Sequence, residues 1–164
     1  MTARAPAATD EELLGVLNEV AGERFGHGVA AVARRPSPYR TSYPLEILEV
    51  TLDDGTVVPM VFKHLAREAL TEEARRAKPE LLYEPLREIE TYRRILGPAA
   101  MGTPALYAAL EDRRWLLIEK VRGVELYQVG ERETWAEAAR WAAGMHARFR
   151  GRVDELAAGA RLVR

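Results

Sequence analysis

Cysteine is absent from this 164-residue sequence. Disulfide bonds and thiolate metal sites are therefore excluded. No apolar run approaches the roughly 20 residues that a membrane-spanning helix needs. Residues 1–8 also lack the apolar segment of a secretory signal. From these absences we expect a cytoplasmic protein with no membrane partner.

An excess of charge of either sign is also missing. The chain has 24 Lys and Arg residues against 25 Asp and Glu residues, which gives a formal net charge of −1. Such a balance does not attract a polyanion, so we expect no nucleic-acid partner. Hydrophobic residues make up 48% of the chain, which is enough to build a core.

The N-terminal part of the sequence predicts a short tail followed by an amphipathic helix. Residues 1–8 show no periodic pattern and are predicted to be a disordered tail. Thr9 and Glu12 have the spacing of a capping box, in which each side chain binds a backbone N–H of the other residue. Apolar residues then recur at helical spacing, and Gly22 is predicted to end the helix.

Three strand patterns follow. Residues 28–35 are short and apolar, and residues 45–52 are apolar on both faces. Asp54-Gly55 is a strong hairpin signal between residues 45–52 and a returning strand at residues 57–63. Pro59 within that strand predicts a sheet edge or a bulge, because proline cannot donate a ladder hydrogen bond.

The second half of the chain alternates helices with a further hairpin. Helical patterns occupy residues 71–78 and 79–96, and Gly97-Pro98 stops the second of them. Residues 105–110 and 115–121 predict a hairpin, and residues 131–150 predict a long helix. The fold class is therefore α+β, with an antiparallel sheet of about five strands, an N-terminal helix and a long C-terminal helix.

The C-terminal helix is predicted to bury one apolar stripe. The members of that stripe are Trp135, Ala138, Ala142, Met145 and Phe149. Trp141 lies on a second face, which favours a missing partner surface. Packing of Trp141 on the Ala-rich tail is the alternative.

Lys63 and Glu88 are the residues whose placement suggests chemistry. Lys63 ends an apolar strand, and Glu88 lies in the helix that follows. A strand-end ammonium held by a helix carboxylate can bridge the α- and β-phosphates of a nucleotide. The alternative is that Lys63 reaches solvent at the strand end and Glu88 is solvated.

The order of the elements resembles the N-lobe of the aminoglycoside phosphotransferase and choline kinase-like family, which has a protein-kinase-like fold. Residues 87–96 look like that family's Glu-bearing helix, and residues 118–123 resemble its hinge. Residues 142–146 are similar to a signature on the helix that opens the C-lobe. The resemblance covers about residues 28–149. It implies a kinase-like N-lobe at residues 9–124, and a hinge exit and the start of a truncated C-lobe at residues 125–164.

The resemblance also implies roles for individual residues in binding ATP with magnesium. Lys63 would contact the phosphates and Glu88 would orient Lys63. The backbone carbonyl of Glu119 and the backbone N–H of Val121 would meet the adenine edge. Apolar neighbours such as Leu117 and Ile47 would sandwich the base.

The loop at residues 36–44 departs from protein kinases, which cover the phosphates with a glycine-rich loop. This loop contains no glycine. Ser37, Thr41 and Ser42 could supply hydroxyl and N–H groups to phosphate, and Arg40 a cation. An ordinary turn stiffened by proline is an equal alternative.

The catalytic signature of the family is missing. Transfer in that family uses an Asp in a His-x-Asp-x-x-x-x-Asn loop, with magnesium held by that Asn and a later Asp. The only asparagine here is Asn18, in the first helix, and Gly159 stands five residues after Asp154. The three histidines (His27, His64 and His146) are far apart and lack metal-ligand spacing. We therefore expect no catalytic or metal-binding residue in this chain.

Two functions remain open. The first is the ATP-binding lobe of a small-molecule phosphotransferase, inactive alone, which would transfer the γ-phosphate to a hydroxyl of a small acceptor when complete. The second is a non-catalytic kinase-like module that binds a protein partner. Either way, a missing C-lobe or a partner protein would cover the exposed helix, and self-association is also conceivable for a two-lobe fold cut in half.

Overall fold

A computed structural model describes residues 8–39, 42–79, 83–152 and 154–156 of the chain. It confirms the α+β class, with one five-stranded antiparallel sheet and helices. The strands are β1 (Val29–Pro36), β2 (Leu45–Leu52), β3 (Val57–His64), β4 (Leu106–Leu110) and β5 (Trp115–Glu119). The helices are α1 (Asp10–Phe25), α2 (Glu72–Ala77), α3 (Pro85–Thr91), α4 (Gly97–Ala99) and α5 (Arg132–Phe149). A π-helical turn (Tyr92–Leu96) joins α3 to α4, and short 3-10 turns lie at Arg67–Ala69 and Leu126–Gln128.

The strands lie in the order β1-β2-β3-β5-β4, and every neighbouring pair is antiparallel. The two hairpins, β2-β3 and β4-β5, therefore meet along β3 and β5. This order places β3 at the centre of the sheet, and the strand that leads into the predicted hinge lies directly beside it.

Two layers of helix cover the two faces of the sheet. Helix α1 packs on one face through Leu13, Val16, Leu17, Val20 and Ala21. That face of the sheet contributes Leu48, Val50, Leu52, Val58, Met60, Phe62, Trp115 and Leu117. Helix α3 packs on the opposite face, where Leu86 and Ile89 join Leu65, Leu116 and Ile118. The order helix, sheet, helix leaves few apolar residues of the central strands exposed.

Helix α1 begins with the predicted capping box. The Thr9 hydroxyl accepts the Glu12 N–H at 3.2 Å, and the Glu12 carboxylate accepts the Thr9 N–H at 3.1 Å. Two boundary predictions were wrong. The helix continues past Gly22 to Phe25 and ends at Gly26, which takes the left-handed conformation at φ 73°. Ala8, assigned to the tail, is buried in the α1 core, while residues 1–7 lie outside the described residues.

Substituting Thr9 by alanine is expected to lower the free energy of unfolding by about 1 kcal/mol, because loss of the hydroxyl leaves the Glu12 N–H without its partner. Urea denaturation followed by far-UV circular dichroism measures this loss. Thr9→Ser is the control, since serine keeps the accepting oxygen and should retain most of the stability. A Thr9→Ala variant as stable as the parent chain would show that the capping box contributes nothing.

Helix α1 is also fastened to the sheet by polar contacts at both ends. Arg34 of β1 binds the Asp10 carboxylate at 2.5 Å and the Ala8 carbonyl at 3.0 Å, and it forms two hydrogen bonds to Glu46. Hydrogen bonding to Glu46 raises the pKa of Arg34 above its ordinary value. At the other end of α1, Arg24 donates to the Leu106 carbonyl of β4 at 3.0 Å. The helix therefore spans the sheet from one edge strand to the other.

Pro59 lies in an interior strand, so the prediction of a sheet edge was wrong. Its carbonyl accepts the Lys120 N–H at 3.2 Å, just beyond the last residue of β5, Glu119. Because the nitrogen and oxygen of one strand residue point to the same neighbour, the Pro59 nitrogen faces the side on which β5 has already ended. The missing N–H is therefore tolerated at this one place in a central strand.

Helix α5 differs most from its prediction. Trp135 of the expected stripe is exposed, and the other four members are only half-buried. No residue of the helix is buried. The physical reason is that α1 and α3 already cover the two faces of the sheet, so neither face is free to pack against α5. Among the described residues, no helix has the length and apolar character needed to cross a membrane.

Candidate functional site

Lys63 lies near the C-terminal end of β3, at the centre of the sheet. It pairs with Leu45 of β2 on one side and with Leu116 of β5 on the other. Residues directly opposite one another in an antiparallel ladder share a face. Lys63 therefore points to the face that α3 covers.

Glu88 reaches that face because α3 is anchored on both sides of it. Pro85 begins the helix, and the Glu84 carboxylate accepts the Leu86 N–H at 3.1 Å. Leu86 and Ile89 are buried against the sheet, and this fixes the rotation of the helix.

The two charged groups meet as the sequence predicted. The Lys63 Nζ lies 2.5 Å from the Glu88 Oε1. The Lys63 side chain is 20% exposed and the Glu88 side chain is 36% exposed. The ammonium is therefore held in position by the carboxylate and remains accessible to a ligand.

The apolar surface beside this pair comes from three neighbouring strands. Ile47, Val61 and Ile118 lie opposite one another, one ladder step of two residues from Lys63. Val61 is half-buried, while Ile47 and Ile118 are almost fully buried. The prediction for Leu117 was wrong, because Leu117 pairs with Phe62 and is fully buried on the α1 face. Ile118, and not Leu117, is the β5 residue that lies beside Val61 on the same face as Lys63.

The predicted hinge begins where β5 ends. Glu119 pairs with Met60, three residues from Lys63 along β3, which corresponds to about 10 Å at the rise of a strand. The Glu119 N–H donates to the Ala105 carbonyl at 2.8 Å, and its carboxylate accepts the Ala105 N–H at 3.1 Å. Val121 has left the ladder and is 57% exposed. The chain is thus fixed at Glu119 and accessible at Val121.

The described residues of the hydroxyl-bearing loop form hydrogen bonds with each other and with neighbouring segments. The Ser37 N–H donates to the Leu45 carbonyl at 2.8 Å, which places Ser37 two strands from Lys63, or about 10 Å. Ser37 is buried, and its hydroxyl accepts the Tyr39 N–H at 3.2 Å. The Ser42 carbonyl accepts the Thr71 N–H at 3.0 Å, just before α2. Thr41 lies outside the described residues, as does Arg40.

Two tyrosines near Glu88 (Tyr43 and Tyr92), and Tyr83 beside Tyr43, were not singled out from the sequence. Burial raises the pKa of Tyr43 well above its ordinary value, and the neighbouring Tyr83 hydroxyl and Glu88 carboxylate raise it further. Burial, followed by the Glu88 charge, likewise raises the pKa of Tyr92. Both phenols are therefore protonated at neutral pH. The spacing of Glu88 and Tyr92 is a local signal, but Tyr43 and Tyr83 come together only through the fold.

A second polar cluster lies at the β2-β3 turn. His27 Nδ1 is 2.7 Å from the Asp53 Oδ1, and the other oxygen of Asp53 accepts the Gly28 N–H at 2.9 Å. The Gly28 N–H, followed by His27, lowers the pKa of Asp53. His27 and the two carboxylates (Asp53 and Asp54) have ligand atoms within 4.8 Å of one another. The bonds of Asp53 to His27 and to the Gly28 N–H account for this proximity, since they tie the turn to the start of β1.

The Lys63–Glu88 pair is thus the accessible charged site at the centre of the sheet. An ammonium fixed by a carboxylate and bordered by apolar side chains can bind an anionic group attached to an apolar ring. Comparisons with protein-family models, curated proteins and solved structures found no match. The chemistry of the site therefore has to be argued from its own geometry.

Proposed function

We propose that this chain is the nucleotide-binding lobe of a kinase-like small-molecule phosphotransferase. The observation that carries the proposal is the 2.5 Å contact between Lys63 on the central strand and Glu88 on the following helix. In kinases a strand Lys paired with a helix Glu positions the α- and β-phosphates of ATP. The Lys63 ammonium is suited to the same task because it is fixed and accessible.

The surroundings of Lys63 support a nucleotide over a simple anion. Val61 and Ile118 border the ammonium on the same face of the sheet, and the half-buried Val61 offers apolar surface to a base. The segment after Glu119 begins about 10 Å from Lys63 along the strands, and a nucleoside bound at both places would span that distance. Beyond Glu119, the accessible backbone at Val121 is suited to read the edge of a base.

The described residues do not fit magnesium at Lys63. Glu88 is already engaged by Lys63. The carboxylates of Asp53 and Asp54 lie at the β2-β3 turn, about 20 Å from Lys63 at the rise of a strand. The chain lacks the His-x-Asp-x-x-x-x-Asn pattern, so transfer to an acceptor would need residues from elsewhere.

Thermal melting with Mg-ATP tests the proposal. A ligand that binds only the folded state raises its stability by about 2.7 kcal/mol at a free concentration 100 times the dissociation constant. We expect a melting temperature that rises with nucleotide concentration up to ~1 mM. ADP should act like ATP, whereas AMP should give a much smaller rise, because Lys63 is proposed to bridge the α- and β-phosphates.

Two outcomes would contradict the proposal. One is a melting temperature that does not move at millimolar nucleotide. The other is an equal rise with AMP and ATP, which would place the binding energy in the base alone. Inorganic triphosphate is the matching control for a site that binds phosphate without a base.

The second candidate is a non-catalytic kinase-like module that binds a protein partner. The hydroxyl loop favours it, since Ser37 is buried and its hydroxyl is occupied by Tyr39. A phosphate contact from the Ser37 hydroxyl would require this turn to open. If nucleotide leaves the melting temperature unchanged while the Lys63–Glu88 pair is intact, this second function is the one supported.

A further inference from the structure

Helix α5 presents an apolar stripe that the described part of the chain leaves largely uncovered. At 100° per residue the stripe spans about 120° of the helix. Its members are Trp135, Ala138, Ala142, Met145 and Phe149, and Trp141, assigned from the sequence to a second face, lies at its edge. None of them is buried, and the two tryptophans are 46% and 44% exposed. A surface helix normally buries such a stripe against another element.

The two tryptophans are held in place although they are exposed. The Trp135 indole N–H donates to the Val129 carbonyl at 2.7 Å. The Trp141 indole N–H donates to the Met101 carbonyl at 2.6 Å. Each ring is therefore fixed at its polar edge. Rigid aromatic anchors of this kind are typical of protein interfaces.

Charge is separated along the same helix. Residues 131–137 contain three Glu and one Arg, a net charge of −2, and residues 140–150 contain three Arg and no acidic residue, a net charge of +3. The helix dipole favours such charges only within the first and last turns, whereas Glu137 and Arg140 lie further in.

The described part of the chain supplies no ion-pair partner to these charges. Within the described ranges, Glu133, Glu137, Arg140 and Arg148 form no ion pair. In the rest of the protein, arginines such as Arg34, Arg93 and Arg94 each contact a carboxylate. The helix therefore offers both an apolar stripe and unpaired charge of both signs.

We propose that two copies of this chain pair through α5, with the two helices antiparallel. A two-fold axis at Ala142 places Trp135 of each copy opposite Phe149 of the other. The acidic half of each helix then lies beside the basic half of its partner, so Glu137 comes next to Arg148. A parallel pair would set like charges against each other. Each helix has one acidic half and one basic half, so a two-fold dimer forms the same acidic-to-basic contact twice.

Charge reversal tests this pairing by sedimentation velocity on the full chain, up to ~300 µM, where micromolar dimers are populated. The parent chain should sediment as a dimer. Glu133→Arg with Glu137→Arg, or Arg148→Glu with Arg150→Glu, should raise the dissociation constant about tenfold or more. Combining all four changes should restore the dimer. An equimolar mixture of the two double variants should form a heterodimer.

Glu19→Arg with Glu23→Arg on the exposed side of α1 is the matched control, since it has the same spacing and charge change. It should leave the dimer intact. Circular dichroism checks that α5 stays helical. The fourfold variant is the least favourable for the helix dipole, so its recovery of the dimer cannot come from a more stable helix. A monomeric parent chain, or a helical fourfold variant that fails to dimerise, overturns the proposal.

Discussion

Replacing Lys63 by methionine is expected to abolish the rise in melting temperature that Mg-ATP produces. The substitution removes the ammonium proposed to bind the phosphates and leaves the Glu88 carboxylate facing them, where it repels them. Without nucleotide, the free energy of unfolding should fall by only about 1 kcal/mol or less. The pair is partly exposed, at 20% and 36%, and partly exposed ion pairs contribute little. Melting curves recorded with and without nucleotide measure both effects.

Lys78→Met is the matched control for this prediction. The Lys78 Nζ lies 5.7 Å from the centroid of the Tyr43 ring, so it is close to the site but separate from the Lys63–Glu88 pair. The same chemical change there should leave most of the nucleotide effect in place. Glu88→Gln should give an intermediate effect, because Lys63 keeps its charge but loses the carboxylate that orients it. An undiminished rise in Lys63→Met would rule out the role assigned to Lys63.

Replacing Leu117 by alanine is expected to lower the free energy of unfolding by about 2–5 kcal/mol. Leu117 is fully buried between the sheet and α1, beside Phe62 and Leu48. Deleting its branched end leaves a cavity that the strand and helix cannot close. Since single domains are stable by only about 5–15 kcal/mol, this is a large share of the total. Urea denaturation monitored by tryptophan fluorescence measures it.

Val121→Ala is the control for Leu117→Ala. Val121 is 57% exposed and lies four residues further along the chain, so its truncation should change stability by no more than about 0.5 kcal/mol. The nucleotide effect adds a second test. Folded Leu117→Ala protein should retain it, because Leu117 lies on the opposite face from Lys63. A stable Leu117→Ala variant that has lost nucleotide binding would return Leu117 to the base-contacting role.

Leu117 shows why sequence alone could not orient the last strand. Its neighbours, Trp115 to Ile118, form a continuous apolar run without alternation. A shift of one residue in register moves every side chain of a strand to the other face. The pairing of β5 with β3 determines which face each side chain takes, and it sets Leu117 opposite Phe62. Where alternation or turn residues were present, as at Asp54-Gly55, the elements were predicted correctly.

The candidate site likewise has some features that the sequence could predict and others that it could not. Lys63 and Glu88 could be predicted because each occupies a recognisable place, a strand end and a helix turn. The contact of Tyr43 with Tyr83 could not, since the two residues lie in separate segments without a shared pattern. The prediction that α5 buries its apolar stripe failed for another reason. Amphipathic spacing shows which face of a helix is apolar but does not show whether the chain provides anything to cover it.

The attachment of α1 across the sheet has a consequence for the order of folding. Arg24, at the end of this helix, binds the Leu106 carbonyl, which lies 82 positions later in the chain. At about 5–20 residues per second, a ribosome needs several seconds to supply that partner. Helix α1 is therefore made first but completes its docking late. During synthesis the part of its buried side that packs on Trp115 and Leu117 stays exposed until the second hairpin exists, and in this interval a chaperone or a second nascent chain has access to it.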